Sequence, residues 1–349
     1  MNPVFKPTLP LALVLANKLI NQLDFSKHIN KHLKTSEEIQ PADAGMLLKA
    51  LILSTFVDMR APLAYVSERL KPFDIEYLLD KKGIEPDAFN IGQALEHIGE
   101  AGPGALYESL AIEAIIINGI PIKRLHPVKT AVSFREECDI DTMRLTETED
   151  GGFRPDCAQI VGQVVNEIGI PVISRALESS VSDEAWSKQA LTHIKSLSVD
   201  LNGKYVPDIT IANKGKPFIE NSIMSLKEPW PASIVYLKNQ SRVKGLILAL
   251  SLVFLIRGII QFQLRHGLET YKYKNKGKLP NLDWDKKQLN KPAYDMFYKN
   301  VEDCCYIREK FDTYSLYWRD DAKEGQVNTL LQLLGYSVIE LLDRFVYEY

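Results

Sequence analysis

Residues 246–260 form an almost uninterrupted apolar run, and any fold of this chain has to remove that run from water. The run is long enough to raise the question of a transmembrane helix. However, Arg257 interrupts it, Lys244 and Arg265 flank it closely, and serine and glycine dilute it. A helix in the core of a large protein is apolar on all sides in the same way. We therefore expect a buried core helix, with a membrane span over residues 246–264 as the alternative.

The composition is that of an ordinary globular protein with two or three domains. The chain has 349 residues, a formal net charge of −3 and 46% hydrophobic residues, unlike a disordered chain. A charge balance this close to neutral neither requires nor excludes a nucleic-acid partner. The four cysteines form no C-x-x-C pair, which indicates reduced thiols. Residues 1–10 lack the charged segment and the cleavage site of a signal peptide, so we expect a cytoplasmic protein.

The periodicity of the apolar residues divides the chain into a helical part and a part with strands. Residues 8–115 have helical spacing, broken by prolines and by Gly102-Pro103-Gly104. After Gly119-Ile120-Pro121, strand patterns take over. The sequence predicts strands at 124–135, 159–166 and 170–177, a helix at 183–197 and a strand from Tyr205 to Ala212. Three strands, a helix and a fourth strand form the opening of an RNase H-like sheet, an order that is weak evidence by itself.

The rest of the chain is predicted to be mainly helical. Lys214-Gly215-Lys216 forms a turn before a helix that runs through Glu220 to Lys227, and a second helix extends from about 240 to 266. We then expect a lysine-rich polar loop at 270–292. A helix that starts near Ala293 and a final helix at about 325–347 complete the chain.

Short motifs follow one another in a specific order from residue 46 to residue 242. They are Met46-Leu47-Leu48-Lys49-Ala50-Leu51-Ile52-Leu53, Ala61-Pro62-Leu63-Ala64-Tyr65-Val66, Phe89 to Ile98, Leu125-His126, Arg154-Pro155-Asp156, Gly169-Ile170-Pro171-Val172, Ser182-Asp183, Phe218-Ile219-Glu220, Leu226-Lys227-Glu228-Pro229, and Tyr236-Leu237-Lys238 with Arg242. This order resembles one family of DDE-type insertion-sequence transposases. Members of that family combine a helical N-terminal domain of unknown function with an RNase H-like DDE domain, and the resemblance covers most of the chain.

The resemblance implies metal-dependent cleavage and transfer of DNA strands. Such phosphoryl transfer uses two divalent ions, about 3.5–4 Å apart, that stabilise the attacking and leaving oxygens. Three carboxylates would hold Mg²⁺ or Mn²⁺ if the protein is active, and no cofactor is expected otherwise. Two of these carboxylates carry over as catalytic residues and metal ligands, namely Asp208 and Glu220. The first acidic position is occupied by Val128, which cannot bind a metal.

Two further departures from the family pattern concern the helix that carries Glu220. The superfamily has tyrosine, arginine, glutamate and lysine at fixed spacing there, and this chain has Asn213, Lys216, Glu220 and Lys227. The family also has a long, largely β-rich insertion before that helix, whereas only eleven residues separate Asp208 from Glu220. We therefore expect a shortened, degenerate DDE domain.

Basic residues near that helix are candidates for contacts with DNA phosphates, which would make binding depend on salt. They are Lys216, Lys227, Lys238 and Arg242, with Lys244 beside them. The alternative is an ordinary solvated surface.

Three acidic residues could replace the missing first carboxylate, namely Asp139, Asp141 and Asp156, although Asp156 fits a turn or a cap better. His126 fits a histidine in the core or at a sheet edge.

The expected fold class is α/β, with three parts. A helical N-terminal domain spans residues 1–118, a reduced RNase H-like core spans 119–267, and a helical C-terminal region spans 268–349. The expected function is that of a transposase-like DNA-binding protein with impaired strand cleavage. The alternative is a non-catalytic DNA-binding or regulatory protein, either a remnant or a domesticated derivative. Expected partners are DNA at element ends and either a second copy or a full-length transposase, without a membrane.

Overall fold

The computed structural model is mixed α/β and describes residues 6–33, 44–58, 65–134, 143–147, 153–200, 239–282, 284, 292–309, 313–319, 324–342 and 346–347. Its N-terminal part is helical, as the spacing of the apolar residues predicts. This part begins with a short strand, β1 (Thr8–Pro10). The described helices that follow are α1 (Leu11–Gln22), α2 (Phe25–His32), α3 (Ala44–Val57), α4 (Val66–Leu70), α5 (Ile75–Leu79), α6 (Ala88–Glu100) and α7 (Pro103–Ile117).

Side-chain caps and turn residues set several of these helix boundaries. Helix α5 begins where Asp74 accepts a hydrogen bond from the backbone N–H of Tyr77 at 3.2 Å, and α6 begins where Asp87 accepts one from Asn90 at 2.7 Å. Such caps satisfy backbone donors that have no partner inside the helix. Gly102, at φ +88°, turns the chain into α7. The break predicted at Gly102-Pro103-Gly104 is therefore confirmed.

The apolar run lies in a single long helix, α9 (Gln240–Lys274), which forms the centre of the molecule. Helix α9 is long and apolar enough to cross a membrane, but 78% of its most apolar stretch is buried inside the protein. The prediction of a core helix is therefore supported, and the membrane alternative is not. The predicted end near residue 266 was wrong, because the helix continues to Lys274 and takes in the start of the expected polar loop.

Glycines allow α9 to lie very close to the helices that cross it. A Cβ atom on Gly99 of α6 would overlap the backbone of Ser241, and one on Gly245 of α9 would overlap the backbone carbonyl of Leu95. Further along α9, a Cβ on Gly267 would overlap the carbonyl of Leu333. These contacts fix α9 against both the N-terminal helices and the C-terminal region.

A second group of elements follows α7 and contains the predicted strands. Its members are β2 (Leu125–Phe134), β3 (Met143–Glu147), β4 (Phe153–Asn166), β5 (Pro171–Leu177) and the helix α8 (Asp183–Asp200). Strand β4 pairs antiparallel with β2 on one side, and with β5 and β3 on the other. The three long strands, the tight β4–β5 turn and the helix confirm those predictions. The strand predicted from Tyr205 to Ala212 lies outside the described residues, and β3 was not predicted.

The C-terminal region contains a sheet as well as helices, which corrects the expectation that it is helical. Its described elements are α10 (Tyr294–Val301), β6 (Cys304–Arg308), β7 (Tyr314–Trp318), α11 (Glu324–Leu333), α12 (Val338–Leu341) and β8 (Val346–Tyr347). The sheet has the order β1-β6-β7-β8, so the N-terminal strand β1 completes it. The single final helix predicted at 325–347 was also wrong, because Gly335 at φ +81° ends α11 and starts a turn.

Candidate functional site

The position of the first expected carboxylate lies near the middle of β2. Val128 is paired with Gln163 of β4, and Gln163 is paired with Ser174 of β5. Directly opposed residues of antiparallel strands share a face, so the three side chains form a row across the sheet. Gln163 Nε2 donates to Ser174 Oγ at 3.3 Å, and Ser174 Oγ lies 2.7 Å from Ser251 Oγ of α9. The row is uncharged from end to end.

Two buried polar residues lie on either side of Val128 on the same face of β2. His126 and Thr130 are buried, yet His126 Nδ1 and Thr130 Oγ1 form no hydrogen bond with the part of the chain that the structure describes. The burial of His126 agrees with its prediction as a core histidine. The opposite face of β2 is different, because Lys129 Nζ donates to Asp183 Oδ1 at 2.6 Å and to the carbonyl of Val181 at 2.8 Å.

Most of the predicted site residues lie outside the described residues. These are the expected metal ligands Asp208 and Glu220, the expected DNA contacts Lys216, Lys227 and Lys238, and the candidate replacements Asp139 and Asp141. Asp156 lies within β4 and is paired with Arg144 of β3, so its prediction as a turn or cap residue was wrong. Among the described residues, no group of three or more histidine, cysteine, aspartate or glutamate side chains could hold a metal ion.

Arg242, the remaining predicted DNA contact, lies in the first turn of α9 and binds an acidic residue. Its Nε and Nη2 both donate to Glu96 Oε2 of α6, at 2.8 and 2.7 Å. Asn239 caps α9 by accepting from Arg242 N at 2.7 Å, and it also donates to Glu96 Oε1. With 13% of its side chain exposed, Arg242 joins α6 to α9. Its role with DNA stays a prediction.

A charged cluster that sequence reasoning missed joins α7, β5 and α8. Arg175 donates to Glu108 Oε1 through Nε at 3.1 Å and through Nη2 at 2.6 Å. His193 Nε2 lies 2.6 Å from Glu108 Oε2 and 2.8 Å from Arg175 Nη2. An ionised carboxylate only accepts hydrogen bonds, so we assign the proton of Nε2 to the bond with Glu108. The sequence contains one signal for this cluster, which is the position of Glu108 within the apolar helix α7. A carboxylate buried in such a helix requires partners that bind it.

A cavity of about 370 Å³ opens next to this cluster. Its wall is formed by the N-terminus of α7, by residues 174–176 of β5 and by the first turns of α9. Lys244 and Arg175 supply its cationic side chains, while Ile247 and Leu248 supply apolar surface. The cavity therefore lies between β5 and the two helices α7 and α9.

Comparison with known proteins gives one partial match. Residues 11–112 match a domain of unknown function, DUF4277. This segment begins at α1 and ends within α7, and it therefore coincides with most of the helical N-terminal part. No curated protein and no solved structure matches the chain.

Proposed function

We propose that this chain is a transposase-like DNA-binding protein whose strand-cleavage chemistry is impaired. The match to DUF4277 supports the proposal, because that domain is common in transposase-like proteins. The order of β2, β4, β5 and α8 supports it too, since three antiparallel strands followed by a helix are what the opening of an RNase H-like domain requires. The ordered motifs from residue 46 to residue 242 extend the resemblance beyond the matched domain.

The observation that carries the impaired chemistry is the uncharged row that begins at Val128. A two-ion site needs carboxylate oxygens at this position. Valine offers no ligand atom, and the amide of Gln163 donates to Ser174. The described residues therefore do not fit Mg²⁺ or Mn²⁺, and we assign no cleavage step to them. Asp208 and Glu220 remain the proposed descendants of the second and third carboxylates.

The same observation favours a second candidate, a non-catalytic DNA-binding or regulatory protein. Such a protein would occupy element ends or associate with a second copy or with a full-length transposase. It needs the helical domain, the sheet and a basic surface, but it does not need the first carboxylate. In both cases we propose that Lys216, Lys227, Lys238 and Arg242 contact DNA phosphates.

DNA binding is tested by titrating the full chain with labelled duplex DNA at a series of salt concentrations. We expect binding at low salt that weakens steeply as salt rises, because phosphate contacts release counterions. Lys227→Gln should reduce the slope of log K against log salt by about one. Lys31→Gln, an exposed lysine of α2, serves as the matched control. Absence of binding at low salt would rule out the proposal.

Strand cleavage separates the two candidates. Wild-type protein, Val128→Asp and the uncharged isostere Val128→Asn are incubated with supercoiled plasmid and Mn²⁺. Nicking by Val128→Asp alone, abolished by a further Asp208→Asn change, would identify an enzyme that lacks a single ligand. Nicking by none of them would favour the non-catalytic candidate. Efficient nicking by the wild-type protein would show that the chemistry is not impaired.

A further inference from the structure

The cavity beside β5 contains two cationic side chains with donors that the described protein does not use. Lys244 is an exposed residue that lines the cavity, and the described part of the chain provides it with no ion-pair partner. Arg175 uses its Nε and Nη2 to bind Glu108, while its Nη1 makes no hydrogen bond to the described residues. Glu108 thus holds the guanidinium of a lining residue in place and leaves its Nη1 donors unused by the described residues.

The acidic partner does not cancel the positive charge of this cavity. Glu108 is buried, with 6% of its side chain exposed, and both of its oxygens are already bound by Arg175 and His193. Among the described residues that line the cavity, Arg175 and Lys244 are cationic and none is acidic, so the cavity attracts an anion. A planar guanidinium and a lysine ammonium are the side chains that bind phosphate oxygens most often.

The start of α7 adds backbone donors to the same wall. Gly102 caps α7 without a side-chain hydrogen bond, and Pro103 in the first turn has no N–H to offer. The N–H groups of Gly104 and Ala105 are next in line, and a Cβ on Gly104 would lie 3.1 Å from the side chain of Arg175. The helix start and the guanidinium are thus adjacent, and both favour negative charge.

The remaining wall is apolar and limits the size of a ligand. Ile247 and Leu248 of α9 are buried and line the cavity. A volume of about 370 Å³ is within the range of small-molecule sites. It exceeds what a bare phosphate ion would fill.

We propose that this cavity binds a phosphate group carried on a small, partly apolar body. Arg175 Nη1, Lys244 Nζ and the N–H groups at the start of α7 bind the phosphate oxygens, while Ile247 and Leu248 contact the body. The proposal does not rest on the proposed function, because it concerns the cavity between β5, α7 and α9 and not the row at Val128. A free phosphate ester and a phosphate of DNA share this chemistry.

Isothermal titration of the full chain with phenyl phosphate and with inorganic phosphate tests the site. We expect phenyl phosphate to bind with a dissociation constant of about 1 mM or lower, and inorganic phosphate to bind more weakly because it lacks the apolar body. Lys244→Met should weaken phenyl phosphate by about tenfold or more, the usual effect of one charge-assisted hydrogen bond. Lys244→Arg should retain most of the affinity.

Two further variants separate binding in the cavity from general attraction to a basic surface. Lys274→Met makes the same change at the far end of α9, where the lysine is also exposed, and should leave the affinity unchanged. Ala105→Leu places a larger side chain at an exposed helix position that lines the cavity, and it should reduce binding without a loss of folding.

Competition with duplex DNA identifies the source of the phosphate. If DNA displaces phenyl phosphate, and Lys244→Met weakens the binding of both, the cavity binds a DNA phosphate. If DNA and phenyl phosphate bind independently of each other, the cavity binds a free phosphate ester. The inference is overturned if phenyl phosphate does not bind at about 1 mM, or if Lys244→Met and Lys274→Met change its affinity equally. DNA binding that persists in Lys244→Met while phenyl phosphate is lost leaves the proposed function intact.

Discussion

Lys49 of α3 is a buried lysine, and we expect it to make the free energy of unfolding depend on pH. Only 3% of its side chain is exposed. Its Nζ donates to Asn21 Oδ1 at 2.7 Å, and the carboxylate of Asp80 lies 3.8 Å away. Burial lowers the pKa of Lys49 from 10.5 to about 8, and the attraction of Asp80 offsets only part of that effect.

The direction of the effect follows from which state holds the proton. Between pH 8 and pH 10.5 the lysine is neutral in the folded protein and still charged in the unfolded chain. The unfolded state therefore binds more protons, and the free energy of unfolding rises with pH across this window. A shift of this size corresponds to about 3 kcal/mol. Below pH 8 the folded protein bears the whole cost of burying the charge.

Lys49→Met keeps the length of the side chain and removes the charge. We expect the variant to be more stable than the wild type by about 2–3 kcal/mol at pH 7, after allowance for about 1 kcal/mol from the lost bond to Asn21. The gap should close as the pH approaches 10.5. Urea unfolding from pH 7 to pH 10 measures it. Taking the difference between the two proteins removes the contribution of the buried tyrosines, which titrate in the same range.

Lys82→Met is the matched control, because 84% of that side chain is exposed. The difference in the free energy of unfolding between Lys82→Met and the wild type should not vary with pH. A gap for Lys49→Met that is also constant from pH 7 to pH 10 would refute the reasoning. It would show that Lys49 keeps its ordinary pKa in the folded protein.

Two further predictions concern the contacts that hold the helices and the C-terminal sheet together. Gly245→Ala should reduce the free energy of unfolding by about 1–3 kcal/mol, because the new methyl group overlaps a backbone carbonyl. Gly325→Ala, which meets nothing within 4 Å, should be neutral or stabilising in the same urea assay, and an equal loss in both variants would contradict the argument. Asp74→Ala should cost about 2–4 kcal/mol, because it removes a helix cap and the buried carboxylate that binds the hydroxyl of Tyr314. Tyr314→Phe should cost only about 1 kcal/mol, and thermal unfolding that ranks the two variants the other way round would refute that account.

Local sequence patterns were sufficient to predict the elements whose contacts are local or strongly periodic. The N-terminal helices follow from apolar residues at helical spacing and from breaks such as Gly102-Pro103-Gly104. The β4–β5 turn follows from two β-rich segments with Gly169, at φ +86°, between them. The burial of α9 follows from charged residues within and beside the apolar run, namely Arg257, Lys244 and Arg265. They disfavour a membrane span, so the run has to be buried in the protein core.

The C-terminal sheet could not be predicted in the same way, because its pairing is not local. Strand β1 has three residues and pairs with β6 almost three hundred positions later, as in the register of Leu9 with Tyr306. No periodicity in three residues signals such a partner. Likewise, the apolar spacing of the last helix continues across Gly335, and only the left-handed backbone there shows that the chain turns.

The missed cluster of Glu108, Arg175 and His193 has a related cause. Its members come from a helix, a strand and a second helix, and each residue alone has an ordinary explanation on a protein surface. The three meet only because β5 lies between α7 and α8. The candidate site at Val128 differs, because it depended on motif order along the sequence. Val128 lies in β2, a strand that the residue pattern predicted, and its role in a site stays a prediction.

The polar residues on either side of Val128 indicate that this face of the sheet is not optimised for packing alone. His126 and Thr130 flank the valine, and each buries a polar atom that the described residues do not satisfy. Each such atom costs about 1–3 kcal/mol if it stays without a partner. Apolar side chains at both positions would therefore make a more stable sheet, as Val132 does further along the same face. On the contacts of the described residues, packing alone therefore does not explain why buried polar residues flank Val128.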